Sequence, residues 1–251
     1  VNVLEAAAVF GAGLAAGGIN AVVGSGSLIT FPVLVALGYP PVVANVSNNI
    51  GLVPGSAAAT FGYRDVLAGQ RSRLLRLGLA SMLGSLLGGV LLLFLLKDAF
   101  KFIVPALIVG ALVLVVLQPR LNGWLAARRD NSHPHGGPWL WLGVFAAGIY
   151  GGYFGAAQGV VLIALLGIFL DDDLQRIIGA KNLLSGLVNA AAAVLFIAVA
   201  DVDWLVTLLI AVGSTLGGLV GSSFGRRLPA VVLRGFILVV GIAAIGKLLS
   251  G

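Results

Sequence analysis

The chain has 251 residues, of which 59% are hydrophobic and only 10% charged, with no cysteine, and its mean hydropathy is +1.10. A soluble domain carries roughly a quarter of its residues as charges. The composition therefore excludes a soluble globular fold, and the long non-alternating apolar runs exclude an outer-membrane barrel. The lack of cysteine removes disulfides, thiol relays and thiolate metal sites, and the formal charge of +6 lies between apolar runs, as membrane topology explains better than nucleic-acid binding does.

Ten apolar elements follow in chain order. The first, about 2–23, has no basic signal-peptide region and carries Glu5 instead. It breaks at Gly24-Ser25-Gly26-Ser27. The second, 28–38, holds Pro32 and reaches only about 16 Å at ~1.5 Å per residue, half of a ~30 Å hydrocarbon core. The third, 42–63, opens on "ANVSNN", with Asn45, Ser47, Asn48 and Asn49, and contains Pro54. The fourth, 75–96, carries Gly84 and Gly88 at packing spacing, and the fifth, 102–117, contains Pro105. The prolines are expected to kink their helices.

A polar stretch, 118–138, contains "ARRDNSHPHGGP" and divides the chain; its His133 and His135 have no carboxylates spaced for a metal site. The sixth element, 139–154, ends at a second break, Gly155-Ala156-Ala157-Gln158-Gly159. The seventh, 160–170, is again short, and Asp171-Asp172-Asp173 follow as a solvated loop or helix cap. The eighth, 177–200, opens on "GAKNLLSG" with Lys181, Asn182 and Ser185. The ninth, 205–224, carries Gly213, Gly217 and Gly221 at packing spacing, and the tenth is 231–250.

The halves resemble each other. "AAGGINAVVG" lies over "AAGIYGGYFG", "GLVPGSAAA" over "GLVNAAAAV", "GSLLGGV" over "GSTLGGL" and "LIVG" over "LVVG", in one order. If all ten elements cross, twelve of the fifteen basic residues fall on one side. The positive-inside rule then sets both termini outside. Five elements per repeat make the second half enter from the opposite face. The expected fold is an all-α polytopic membrane protein of two inverted-topology repeats, 1–118 and 139–251, joined by a cytoplasmic linker, 119–138.

The chemistry is expected at the breaks. Intramembrane breaks are tolerated only where protein or a water-filled cavity satisfies the freed backbone groups. A half-helix starting there aims N–H groups and a positive dipole end at mid-membrane. Ser25 and Ser27 can cap such a helix or donate to an oxyanion. The expected substrate site is Gly24, Ser25, Gly26, Ser27, Asn45, Asn48, Asn49, Gln158, Gly159, Lys181 and Asn182, with backbone N–H groups around Ser25–Leu28 and Gln158–Val160. Residues 45, 48 and 49 share a helical face, as do 181, 182 and 185. Lys181 either meets an anion or snorkels to the interface. Gly24-x-Gly26 lacks the strand of a dinucleotide fold, and no nucleophile–base pair or metal cluster stands out, so no enzyme, cofactor or metal is expected.

The stretch "VVGSGSLITFPVLVALGYPPVVANVSNN", with "ATFGYRD" and "GSLLGGVLL", resembles the sulfite exporter TauE/SafE family. The family's Gly-rich break and "GxPPxxA" motif fall on Gly24, Gly26, Ser27, Pro32, Gly38, Pro40, Pro41 and Ala44. The second half repeats the pattern loosely in "GAAQG" and "IIGAKNLL". Ser27 stands where the family has glycine, and Ala156-Ala157-Gln158 departs from a Gly-rich second break. The resemblance implies export of small sulfur-containing or carboxylated anions across a bacterial or archaeal inner membrane. The expected partners are a small anion and the bilayer, with a homo-oligomer left open and no nucleic acid. A channel or cation-coupled symporter is the alternative, with a membrane enzyme on lipid-linked phosphate as a third reading.

Overall fold

The computed structural model describes residues 2–94, 105–117 and 136–224, with 120, 235 and 239 as isolated positions. The tenth expected element, most of the linker with His133 and His135, and Lys97, Lys101, Arg226, Arg227, Arg234 and Lys247 lie outside the described residues.

Among those residues the fold is all helical. The helices are α1 (Val3–Val22), α2 (Ser27–Ala36), α3 (Pro41–Gly62), α4 (Arg64–Leu67) and α5 (Arg71–Phe94). They continue as α6 (Pro105–Leu117), α7 (Gly137–Tyr153), α8 (Gln158–Phe169), α9 (Leu174–Val199) and α10 (Trp204–Phe224). Val3–Val22, Arg71–Phe94, Leu174–Val199 and Trp204–Ser223 are long and apolar enough to cross a membrane. α3 has the length, but Asn45, Ser47, Asn48 and Asn49 lower its hydropathy.

The boundaries depart from expectation where polar residues continue a helix. Arg71 and Arg73 belong to α5 rather than to the loop before it, and α7 begins inside the expected linker. Asn2 and Glu5 form a reciprocal capping box that starts α1. Pro32 and Pro54 lie inside α2 and α3, and Pro105 is the first described residue of α6.

α1 packs along α10 and α7 along α5; α3 also meets α10, α9 meets α5, and α3 meets α9. Glycine makes the first two crossings close. A Cβ on Gly84 or Gly88 would overlap the carbonyl oxygens of Phe145 or Ile149 on α7, and one on Gly217 would overlap that of Leu14 on α1. One on Gly17 would stand 2.7 Å from the Ser214 Cα. Small residues that let backbones touch replace the hydrophobic drive that is missing between helices in lipid. The outward faces are apolar, with Leu75, Leu79 and Leu83 on α5 and Leu205, Leu208 and Val212 on α10 exposed.

Two polar clusters mark opposite groups of helix ends. Asp172, before α9, receives Arg73 of α5 and, at 3.1 Å, Arg176; Gln70 accepts from Arg73 and donates to the Val66 carbonyl at 2.8 Å. Of the three aspartates expected as a solvated loop or helix cap, Asp171 is exposed and Asp173 is exposed at the N-cap of α9, while Asp172 is largely buried and paired. The other cluster joins Tyr39, in the turn after α2, to Asp203 and Glu5. The Tyr39 phenol is held above its usual range by burial first, then by those two carboxylates.

Candidate functional site

The two breaks meet backbone to backbone. α1 ends at Val22, and Gly24 turns the chain with a φ of 87°. α7 ends at Tyr153, and Gly155 turns with a φ of 74°. The Gly159 N–H donates to the Gly24 carbonyl at 3.0 Å, and a Cβ on Gly24 would stand 2.5 Å from the Gly159 Cα. Only glycine permits both the left-handed turn at Gly24 and this approach.

The breaks differ in chemistry. In the second, Phe154, Ala156, Ala157 and Val160 are buried in the same apolar core as α2, and Phe154 meets Phe31 edge to face at 5.1 Å. Ala157 is the non-glycine residue at positive φ among the described residues, at 56°. Gln158 N–H donates to the Gly155 carbonyl and Val160 N–H to that of Ala157, while the N–H groups of Ala156 and Ala157 have no acceptor among the described residues. The Tyr150 hydroxyl donates to the Ala156 carbonyl, and the Gln158 Nε2 folds back onto the Ala147 carbonyl at 3.1 Å.

The first break keeps groups in hand. Gly26, not a serine, is the N-cap of α2, and no side chain caps it. The expected capping by Ser25 or Ser27 therefore does not occur, because the chain enters α2 already in helical geometry at Gly26 (φ −60°, ψ −35°). The Gly26 N–H donates to Asn20 Oδ1 at 2.8 Å and the Leu28 N–H to the Ser25 carbonyl at 3.1 Å. Among the described residues the N–H groups of Ser25 and Ser27 have no acceptor. The Ser25 hydroxyl is buried with no hydrogen-bond partner. Ser27 is half-buried, and its Oγ accepts a long bond from Asn48 Nδ2 at 3.4 Å, which leaves its own O–H free to donate.

Lys181 does not snorkel. It is fully buried, and its Nζ donates to the Asn20 carbonyl at 2.6 Å and to Asn182 Oδ1 at 2.8 Å. Asn182 Nδ2 donates to the Ala21 carbonyl at 3.0 Å. Lys181 and Asn182 thus hold the last-turn carbonyls of α1, which lack helical donors. The other half is matched by one neutral residue: Asn45 Nδ2 donates to the Tyr153 carbonyl, at the end of α7, at 3.0 Å. The helix that follows the short one in each half, α3 or α9, ties down the first helix of the other half.

The asparagines of α3 share a face in sequence spacing but serve three neighbours. Asn45 reaches α7, Asn48 accepts from Thr30 of α2, and Asn49 Nδ2 donates to Asn189 Oδ1 of α9 at 3.3 Å. The Ser185 hydroxyl is buried without a partner. Gly24, Ser25, Gly26, Ser27, Asn48, Lys181 and Asn182 are therefore linked around the first break. Gln158, Gly159 and Asn45 build the second, and Asn49 lies on the α3–α9 contact. Asn20, Thr30 and Asn189 escaped the sequence reading. A lone amide in an apolar span was the available signal, since such groups need a protein or water partner in lipid. Among the described residues no group of His, Cys, Asp and Glu could hold a metal ion.

Comparison with known proteins accords with this architecture. The chain is 26% identical to a probable membrane transporter protein, YfcA, of Escherichia coli over 250 residues, covering 99% of this chain and 91% of that one. It is 26% identical to the probable membrane transporter protein ORF9 of Sinorhizobium over 243 residues, covering 96% and 91%. A probable membrane transporter protein of Haemophilus influenzae is 26% identical over 241 residues, covering 92% of each chain. No solved structure matches. The family model of the sulfite exporter TauE/SafE matches residues 9–248, nearly the whole length, and with membrane-spanning helices broken in pairs the chain is a membrane transporter belonging to that family.

Proposed function

We propose that this transporter exports a small oxyanion of the sulfite or organosulfonate class across the plasma membrane, and that the anion binds at the first break. One observation carries the reading. The Lys181 side chain is fully buried and, among the described residues, has no carboxylate within ion-pair distance. A buried ammonium without a counter-charge is costly, and a bound anion supplies one. Asn20 links that ammonium to Gly26 in two hydrogen bonds, and beside Gly26 stand the free Ser25 hydroxyl and the N–H groups of Ser25 and Ser27. Donors fixed in advance around a water-poor pocket bind an anion more strongly than the same groups in water.

In this reading Ser25, Ser27 and Lys181 face the anion, Asn48 sets the Ser27 hydroxyl, and Gly24, Gly26 and Asn182 shape the break. Asn45, Asn49, Gln158 and Gly159 hold the opposing surface. The two units, 1–118 and 139–251, are inverted repeats that rock about the crossed breaks to expose the anion to either side, with both termini outside and 119–138 in the cytoplasm. The exchange of partners between halves, α1 with α10 and α7 with α5, supports that assignment.

The test is sulfite flux in proteoliposomes. Ser25→Ala is expected to lower flux about tenfold while leaving a monodisperse folded protein, and Lys181→Met to lower it further. A Ser25→Ala variant at the wild-type rate removes the first break as the site. A wild type that moves thiosulfate or a sulfonate but not sulfite changes the substrate and keeps the site.

A further inference from the structure

We propose that Asn20 is a further anion ligand of the first break, presented there by its own hydrogen bond to Gly26. This inference rests on the anion-binding reading above and adds to it a residue that belongs to neither the break nor the polar helices α3 and α9. Asn20 lies in the last turns of α1, four residues before Gly24. The Gly26 N–H donates to its Oδ1 at 2.8 Å, and its backbone carbonyl receives Lys181 Nζ at 2.6 Å.

The first bond decides which way the amide faces. An N–H needs an acceptor, so the oxygen of Asn20 must point to Gly26 and the NH2 group must point away from it. The Asn20 Nδ2 donates to no described residue and is not among the sealed, unsatisfied polar atoms; the side chain is half-buried. It therefore offers two donor hydrogens to accessible space near Gly26, which stands between Ser25 and Ser27 in the chain. The side chain is also closely fitted there: a Cβ on Gly26 would stand 2.9 Å from the Asn20 Cγ and would overlap the Ala16 carbonyl. Rotation of the amide would lose the Gly26 bond, so the donor direction is fixed before a ligand arrives. Such preorganisation spares the ordering loss on binding.

Two functions are combined in one side chain, and they can be separated. A carboxylate at this position still accepts the Gly26 N–H, but it replaces the free NH2 by a negatively charged oxygen. Asn20→Asp should thus keep the shape of the break and lose its attraction for anions. If Asn20 merely holds Gly26, Asn20→Asp should behave as wild type.

The experiment uses the full chain, whose lack of cysteine makes any introduced thiol unique. Sulfite binding is measured by calorimetry in detergent for wild type, Asn20→Asp and Asn20→Ser. Ser27→Cys is then labelled with a sulfonate-bearing and a quaternary-ammonium-bearing methanethiosulfonate, with and without Asn20→Asp. The expected results are an affinity for sulfite at least about tenfold lower in both Asn20 variants, and a preference for the anionic reagent that Asn20→Asp reverses. Asn20→Ser, which keeps an acceptor without the second donor and adds no charge, decides the affinity arm if Asn20→Asp is not recovered folded. Wild-type affinity in the folded variants, or an unchanged reagent preference, overturns the proposal. Wild type that binds no sulfite, together with a reversed reagent preference, refutes the substrate reading and leaves the role of Asn20 standing.

Discussion

The two breaks occupy matching places in the two halves and touch through Gly24 and Gly159, yet they are built from opposite materials. The second is packed in apolar core, with Ala156 and Ala157 fully buried, Tyr150 closing the Ala156 carbonyl and Gln158 turned back onto α7. The first has a buried hydroxyl without a partner, two N–H groups without acceptors and a buried ammonium two bonds away. A chain break in a membrane must satisfy its backbone from within or present it to a ligand. Both breaks leave two N–H groups without acceptors among the described residues, Ser25 and Ser27 at the first and Ala156 and Ala157 at the second, so the contrast lies in the side chains: two hydroxyls and a nearby lysine against two alanines.

That contrast can be broken in a graded way. The largest effect is expected where the breaks touch. Gly159→Val forces a side chain onto the Gly24 backbone, which cannot retreat, and should destabilise by more than about 4 kcal/mol, so that little folded protein survives detergent extraction on size exclusion. Recovery of a normal folded peak would mean the breaks stand farther apart than their hydrogen bond implies.

Next come the close helix crossings. Gly88→Leu on α5 and Gly217→Leu on α10 each drive a side chain into a facing carbonyl. Each should lower stability by about 2–4 kcal/mol, read as a fall in Tm. Similar losses in the two would show that the halves share one packing rule even though their breaks differ.

Smaller effects separate support from site. Tyr150→Phe leaves the buried Ala156 carbonyl without its donor and should remove about 1–2 kcal/mol, with sulfite affinity unchanged. A tenfold weaker affinity in this variant would move the second break into the site. The smallest change expected is a gain. Ala157→Gly relieves a left-handed alanine worth about 1–2 kcal/mol but frees the unfolded chain, so Tm should rise by about a degree or two. No rise would show that neighbouring packing already stabilises that turn.

Asp172 offers an independent check on how the halves are joined, since it receives Arg73 from one and Arg176 from the other. Asp172→Asn should lower Tm by the equivalent of about 1–3 kcal/mol, because it removes the largely buried carboxylate that both Arg73 and Arg176 meet.

Much of the helix order was legible in the amino-acid sequence. Apolar runs of membrane length, glycine at packing spacing and two small-residue interruptions are local signals, and α1, α2, α3 and α8 fall within a few residues of expectation. Helix ends were less legible where arginines continue α5, since a charged side chain at a membrane boundary extends a helix without altering its backbone preference. The likeness of the breaks was also visible in sequence. Their difference was visible only as Ser against Ala, which does not say which hydroxyl or N–H stays free.

The sequence by itself determined a helical membrane protein with paired interruptions, because hydropathy, proline and glycine act through the local backbone and the bilayer. Only the tertiary structure decided that Lys181 reaches the end of α1 rather than the interface, that Asn45, Asn48 and Asn49 part to three neighbours, and that Asn20 takes the Gly26 N–H. The physical reason is hydrogen-bond satisfaction in a medium with little water. Lys181, Asn45 and Asn49 each meet a partner more than a hundred residues away, and spacing along one helix carries no record of the neighbour it will face.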